Sequence, residues 1–161
     1  MTGEAATGGA VPATTSDKAV ARGAVLLVSD AVSVRNEVAS VLGGMGLSVV
    51  EAALGKAVTP MVREAHFDLV VLDLQIGNMG GVAACMDLRL EESGGRLDHV
   101  PVLMLLDRRP DVFLARRCGA EGWVIKPLDP IRLRRAVKAL LAGSTYHDPS
   151  YQPVPTAVVG G

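Results

Sequence analysis

Leu69-Val70-Val71-Leu72 runs straight into a carboxylate, Asp73, and then into a glycine-studded loop, Gln75-Ile76-Gly77-Asn78-Met79-Gly80-Gly81. The apolar run is too short for a lone helix and too uniform for a strand with one wet face. It reads as a strand buried on both sides, which implies a parallel sheet covered by helices. A carboxylate at the carboxyl end of such a strand lies on the rim where doubly wound sheets place their ligands.

The rest of the chain repeats this unit. Short apolar strands are expected over 24–28, 47–52, 101–106 and 123–125, ending at Ser29-Asp30, Ala52, Leu106-Asp107 and Lys126-Pro127. Helices fill the gaps. The first carries Val34, Val38, Val41 and Leu42 on one face and stops at Gly43-Gly44-Met45-Gly46. Others are expected over 56–65, 81–92, 111–118 and 130–142; Pro60 lies near the start of the second, and the last buries Leu133, Val137, Leu140 and Leu141. Strict alternation of five strands and five helices argues for an α/β domain with right-handed crossovers. Period alone leaves the strand order open.

A chain of 161 residues suffices for one domain with a sizeable core. Residues 1–22 and 144–161, poor in large apolar side chains or rich in Pro, Tyr and Gly, read as flexible tails around a domain at 23–143. No apolar run reaches the ~18 residues of a membrane span, and residues 1–16 lack the pattern of a secretory signal. Cys85 and Cys118 have no metal or redox spacing. These features point to a cytoplasmic protein. His66, His99 and His147 are isolated in sequence and are assigned to no metal.

The strand ends bring Asp30, Asp73, Asp107 and Lys126 to one edge. Asp30, Asp73 and the Lys126 amine there can hold a hard divalent cation and a phosphoryl group. Each strand-end Asp also has a plainer reading as a helix cap or turn former.

Four blocks, Val25-Leu26-Leu27-Val28-Ser29-Asp30, Asp68-Leu69-Val70-Val71-Leu72-Asp73, Val100-Pro101-Val102-Leu103-Met104 and Gly119-Ala120-Glu121-Gly122-Trp123-Val124-Ile125-Lys126-Pro127, resemble a response-regulator receiver domain of bacterial two-component signalling. The resemblance covers about residues 24–142. It implies a flavodoxin-like three-layer α/β/α fold with a five-stranded parallel sheet in the order 2-1-3-4-5. It implies Asp73 as phosphoryl acceptor and Lys126 as the cation pairing with the phosphoryl group. Mg²⁺ would sit on Asp30, Asp73 and the backbone carbonyl of Gln75. The resemblance also implies a cis Lys126–Pro127 bond and places Trp123 at the aromatic switch position, where it reads equally as a bulky cover for a sheet edge. The protein is then no enzyme but an acceptor, with possible self-catalysed phosphotransfer and dephosphorylation.

The departures from the family pattern matter as much. The paired acid before Asp30 is Ser29, which could reach a metal only through water. Losing a unit charge at ~4 Å forfeits roughly 4 kcal/mol at an effective dielectric of 20, so Mg²⁺ is expected to bind weakly. The switch hydroxyl at the end of strand four is Leu106, which cannot make a hydrogen bond worth about 1.5–3 kcal/mol. Asp107 follows where a small residue is usual; it either turns inward against an incoming phosphate or caps the next helix. Gly77 and Gly80 replace a proline and an acid, loosening the acceptor loop.

Between Asp107 and Lys138 stand nine basic and four acidic residues. Arg108, Arg109, Arg116, Arg117, Arg132, Arg134, Arg135 and Lys138 could form an output or dimer surface on helix 4–strand 5–helix 5, or an ordinary solvated face. A protein effector ranks above nucleic acid, for which no aromatic interleaving is present. Three readings stand in order. The first is a stand-alone atypical receiver phosphorylated by a histidine kinase or phosphotransfer protein. The second is a pseudo-receiver whose partner binding ignores phosphate. The third is an unrelated nucleotide- or flavin-binding enzyme, for which no glycine fingerprint follows strand one.

Overall fold

The computed structural model describes residues 23–77 and 79–149. In chain order the elements are β1 (Ala24–Val28), α1 (Val32–Gly44), β2 (Ser48–Ala52), α2 (Val58–Glu64), β3 (Leu69–Asp73), α3 (Gly81–Ser93), β4 (Val102–Leu106), α4 (Val112–Arg117), β5 (Gly122–Ile125), α5 (Pro130–Leu141) and β6 (Tyr146–His147). All six strands are parallel and lie in the order β2-β1-β3-β4-β5-β6. The flavodoxin-like order is as expected; the sixth strand is an addition.

The pleat divides the core into two layers. Leu26, Val28, Val70, Leu72, Met104 and Leu106 face Ala84, Cys85 and Leu88 of α3 and Val112 and Ala115 of α4. Val25, Leu27, Leu69, Val71, Leu103 and Leu105 face Val38 and Leu42 of α1 and Leu133, Val137 and Leu140 of α5. β3 and β4 are buried along their whole length, as runs covered on both sides must be. β2, at the sheet edge, is largely exposed. Leu141, expected in the core, is only half-buried; the buried stripe of α5 is Leu133, Ala136, Val137 and Leu140.

Two helices begin differently from their sequence outline. The expected 56–65 helix opens as a 3₁₀ turn over Gly55–Ala57 before α2 starts at Val58, which leaves Pro60 in the first α-turn where its missing N–H costs nothing. The expected 111–118 helix is likewise preceded by a 3₁₀ turn over Arg109–Asp111. Gly81 opens α3 hard against the end of β3: a Cβ there would come within 2.3 Å of the Asp73 carbonyl oxygen. The helix therefore starts this close to β3 only because the residue is glycine.

The end of the domain is the main difference. The tail expected from 144 onwards instead continues through Tyr146 and His147, which pair with Gly122 and Trp123 of β5. Asp148 then turns inward, fully buried, accepting from Ile125 N at 2.8 Å and from Arg132 Nη1 at 2.7 Å. A segment with few large apolar residues is held by backbone pairing and one carboxylate, neither of which shows in hydropathy. Residues 1–22 and 150–161, the remainder of the expected tails, lie outside the described residues.

Candidate functional site at the carboxyl rim of the sheet

Parallel pairing carries the ends of β1, β3, β4 and β5 to one rim. Asp73 closes β3 and is 1% exposed, so its carboxylate must be satisfied by protein donors. Three supply it. Lys126 Nζ donates to Asp73 Oδ1 at 2.8 Å, Gln75 N reaches the same oxygen at 3.3 Å, and Ser29 Oγ donates to Oδ2 at 2.7 Å. Ser29 is fully buried and accepts in turn from Ala31 N at 3.1 Å, which fixes its hydroxyl proton toward Asp73.

Lys126 follows β5, its chain continuing through a cis peptide bond to Pro127. Its ammonium also donates to Asp107 Oδ1 at 3.0 Å, so one cation bridges two carboxylates. Burial of the ammonium works against its charge. The hydrogen bonds to Asp73 and Asp107 outweigh that effect and hold the Lys126 pKa above the ordinary lysine value. Of the two readings for Asp107, the inward one is observed. The 3₁₀ turn ahead of α4 is capped by Asp111 instead, whose carboxylate accepts from Arg108 N at 3.0 Å.

The remaining expected positions separate. Asp30 is exposed at the rim and accepts from Gly77 N at 2.8 Å. The Ser29 hydroxyl is directed at Asp73 Oδ2. The side chain of Gln75 is exposed while its N–H serves Asp73. Among the described residues no three His, Cys, Asp or Glu side chains converge in a metal-binding group. Both oxygens of Asp73 already accept hydrogen bonds. Leu106 is fully buried in the α3–α4 layer.

Trp123 lies in that layer too, 1% exposed. Its ring stacks on His147 of β6 with centroids 4.2 Å apart and planes 5° from parallel, and the Arg116 guanidinium lies 5.1 Å from the indole centroid. Sequence reading missed His147 and Asp148 because their partners are non-local. Arg116 and Arg132, counted there as part of a basic face, are committed to Trp123 and Asp148.

A strand-three carboxylate joined to a strand-five lysine marks the rim of this sheet, and the family model described as "response regulator receiver domain" matches residues 25–138. The chain belongs to that family. It is a receiver domain of two-component signalling. It is 34% identical over 119 residues to the DNA-binding response regulator MtrA of Mycolicibacterium smegmatis, covering 73% of this chain and 50% of that protein. Over the same length it is 31% identical to a probable transcriptional regulator of Cyanophora paradoxa, again 73% of this chain and 47% of the relative. The chain thus spans about half the length of these curated relatives. Among solved structures, a LuxR-family two-component response regulator from Aurantimonas superposes with a TM-score of 0.72 at 28% identity, covering 81% of this receiver and 92% of that chain.

Proposed function

We propose that this receiver accepts a phosphoryl group on Asp73 and signals through a protein partner, with a weakened metal site and no conventional hydroxyl switch. The observation that carries the reading is the 2.8 Å contact between Lys126 Nζ and the buried Asp73 carboxylate. In the step proposed, an Asp73 oxygen attacks phosphorus, the bond from phosphorus to the donor's nitrogen or oxygen breaks, and an acyl phosphate forms. Lys126 already stands where the added negative charge needs a cation. Burial of Asp73 keeps bulk water from the attacking oxygen. Mg²⁺, when bound, neutralises phosphoryl charge; Asp30, Asp73 and the Gln75 carbonyl are the groups that would hold it.

The donor in this reading is a histidine kinase or a phosphotransfer protein, in the cytoplasm, and the receiver acts as an acceptor rather than a turnover catalyst. No helix among the described residues is long and apolar enough to cross a membrane. An effector approaching the α4–β5–α5 face would meet β6, which occupies the β5 edge.

A second reading, the pseudo-receiver, draws on a different observation: Ser29 and Lys126 satisfy Asp73 without any ligand. Incubation with Mg²⁺ and acetyl phosphate followed by intact mass separates the two. A single added phosphate, absent in Asp73→Asn, is the expected result. An unmodified protein whose partner binding is the same in Asp73→Asn would transfer support to the second reading.

A further inference from the structure

Asp107 is the charged residue at the cleft that the proposed chemistry does not use. Its carboxylate is turned away from helix capping and toward Lys126, with Oδ1 at 3.0 Å from the ammonium. Its Oδ2 is shut off from solvent and has no hydrogen-bond partner among the described residues. An ammonium has three protons to donate, and the Lys126 group spends one on Asp73 Oδ1 and one on Asp107 Oδ1.

A phosphoryl group on Asp73 would bring about 1.5 to 2 negative charges into reach of this same ammonium. It would meet Asp107 as a like charge already paired there. The backbone keeps that carboxylate close, because Lys126 N donates to the carbonyl of the preceding residue, Leu106, at 2.8 Å. The neighbouring substitution acts in the same direction: Leu106 withholds a donor, and Asp107 supplies an anion.

We propose that Asp107 is a resident counter-anion, occupying Lys126 in place of an incoming tetrahedral oxyanion and setting the threshold at which the cleft accepts one. This deepens the acceptor reading of Asp73 and rests on it for the phosphoryl-transfer arm of the test. Asp107 is a positioning residue here; it acts through Lys126.

Asp107→Asn keeps the shape and removes the charge, and Asp107→Ala serves as a second variant should the first fold poorly. Two readouts are compared with the unaltered protein: the rate of adduct formation from acetyl phosphate by intact mass, and thermal stabilisation by inorganic phosphate against chloride at equal ionic strength. The expected result is an adduct at least tenfold faster and a phosphate response at least tenfold lower in concentration, the latter abolished by adding Lys126→Met. Unchanged values in both readouts overturn the proposal. If no protein forms an adduct while Asp107→Asn still gains the Lys126-dependent phosphate response, the counter-anion stands and the acceptor role of Asp73 falls. If all form the adduct at one rate and respond alike to phosphate, the acceptor role stands and the counter-anion falls.

Discussion

Ser29 shows how one side chain changes the character of a cleft. Its hydroxyl lies 2.7 Å from Asp73 Oδ2 and has no contact with solvent, so Ser29→Ala removes a hydrogen bond to a charged group. The expected loss is about 1.5–3 kcal/mol, read by urea unfolding at neutral pH; a loss near zero would show that Asp73 does not depend on that donor. Ser29→Asp sets a second carboxylate against Asp73. That variant should melt lower without Mg²⁺ and regain stability with it, by about 2.7 kcal/mol at a hundred times its dissociation constant. The unaltered protein should respond far less to the same titration, and equal responses would refute the weak-site reading. At this scale the strand-end positions of Asp73 and Lys126 were legible from residue type, whereas Leu106 stood out only against the family pattern. The direction of Asp107 was not: the same carboxylate can cap or turn inward, and Asp111, four residues on, took the capping role.

Among the elements, β6 departs furthest from what hydropathy reports. It holds by pairing with β5, by Asp148 against Ile125 N and Arg132, and by the stack of His147 on Trp123. Gly122 makes the pairing possible, for a Cβ there would lie 2.8 Å from the Tyr146 carbonyl oxygen and 2.9 Å from Leu140 Cδ1. Gly122→Ala should therefore release β6 or shift α5, seen as faster amide hydrogen exchange at 144–148; unchanged exchange would mean the neighbours give way freely. Burial, then the charge of Asp148, raises the Tyr146 pKa above the ordinary tyrosine value. The folded state thus favours the neutral phenol. Its contribution is fully present below the ordinary value of about 10 and fades as pH rises through the raised one. Titrating absorbance at 295 nm should show a late-ionising tyrosine that Tyr146→Phe removes. The boundaries of the other strands and helices were readable within a residue or two, because apolar period and glycine stops are local signals. A two-residue strand fixed by distant partners leaves no such trace.

At the scale of the whole molecule, the α3–α4 layer encloses the Trp123 ring. Trp123 is the sole tryptophan, so its emission reports on the β4–β5 region without labelling. It is buried between His147 and Arg116, and Leu106 has no hydroxyl to follow a phosphoryl group. Loading Asp73 with acetyl phosphate should consequently leave Trp123 emission and quenching almost unchanged, even where mass shows the adduct. A clear spectral shift would reveal a coupling route that bypasses the hydroxyl. The linear order of residues was enough to establish a helix-covered parallel sheet and to nominate the acid and the lysine, because side-chain period and strand-end residues are properties of short segments. Only the tertiary structure decided that Lys126 is shared with Asp107, that Ser29 faces Asp73, and that residues 146–148 extend the sheet. Each of those is a contact between segments far apart in the chain, and the direction of a polar side chain is settled by whichever distant partner packing brings within hydrogen-bond reach.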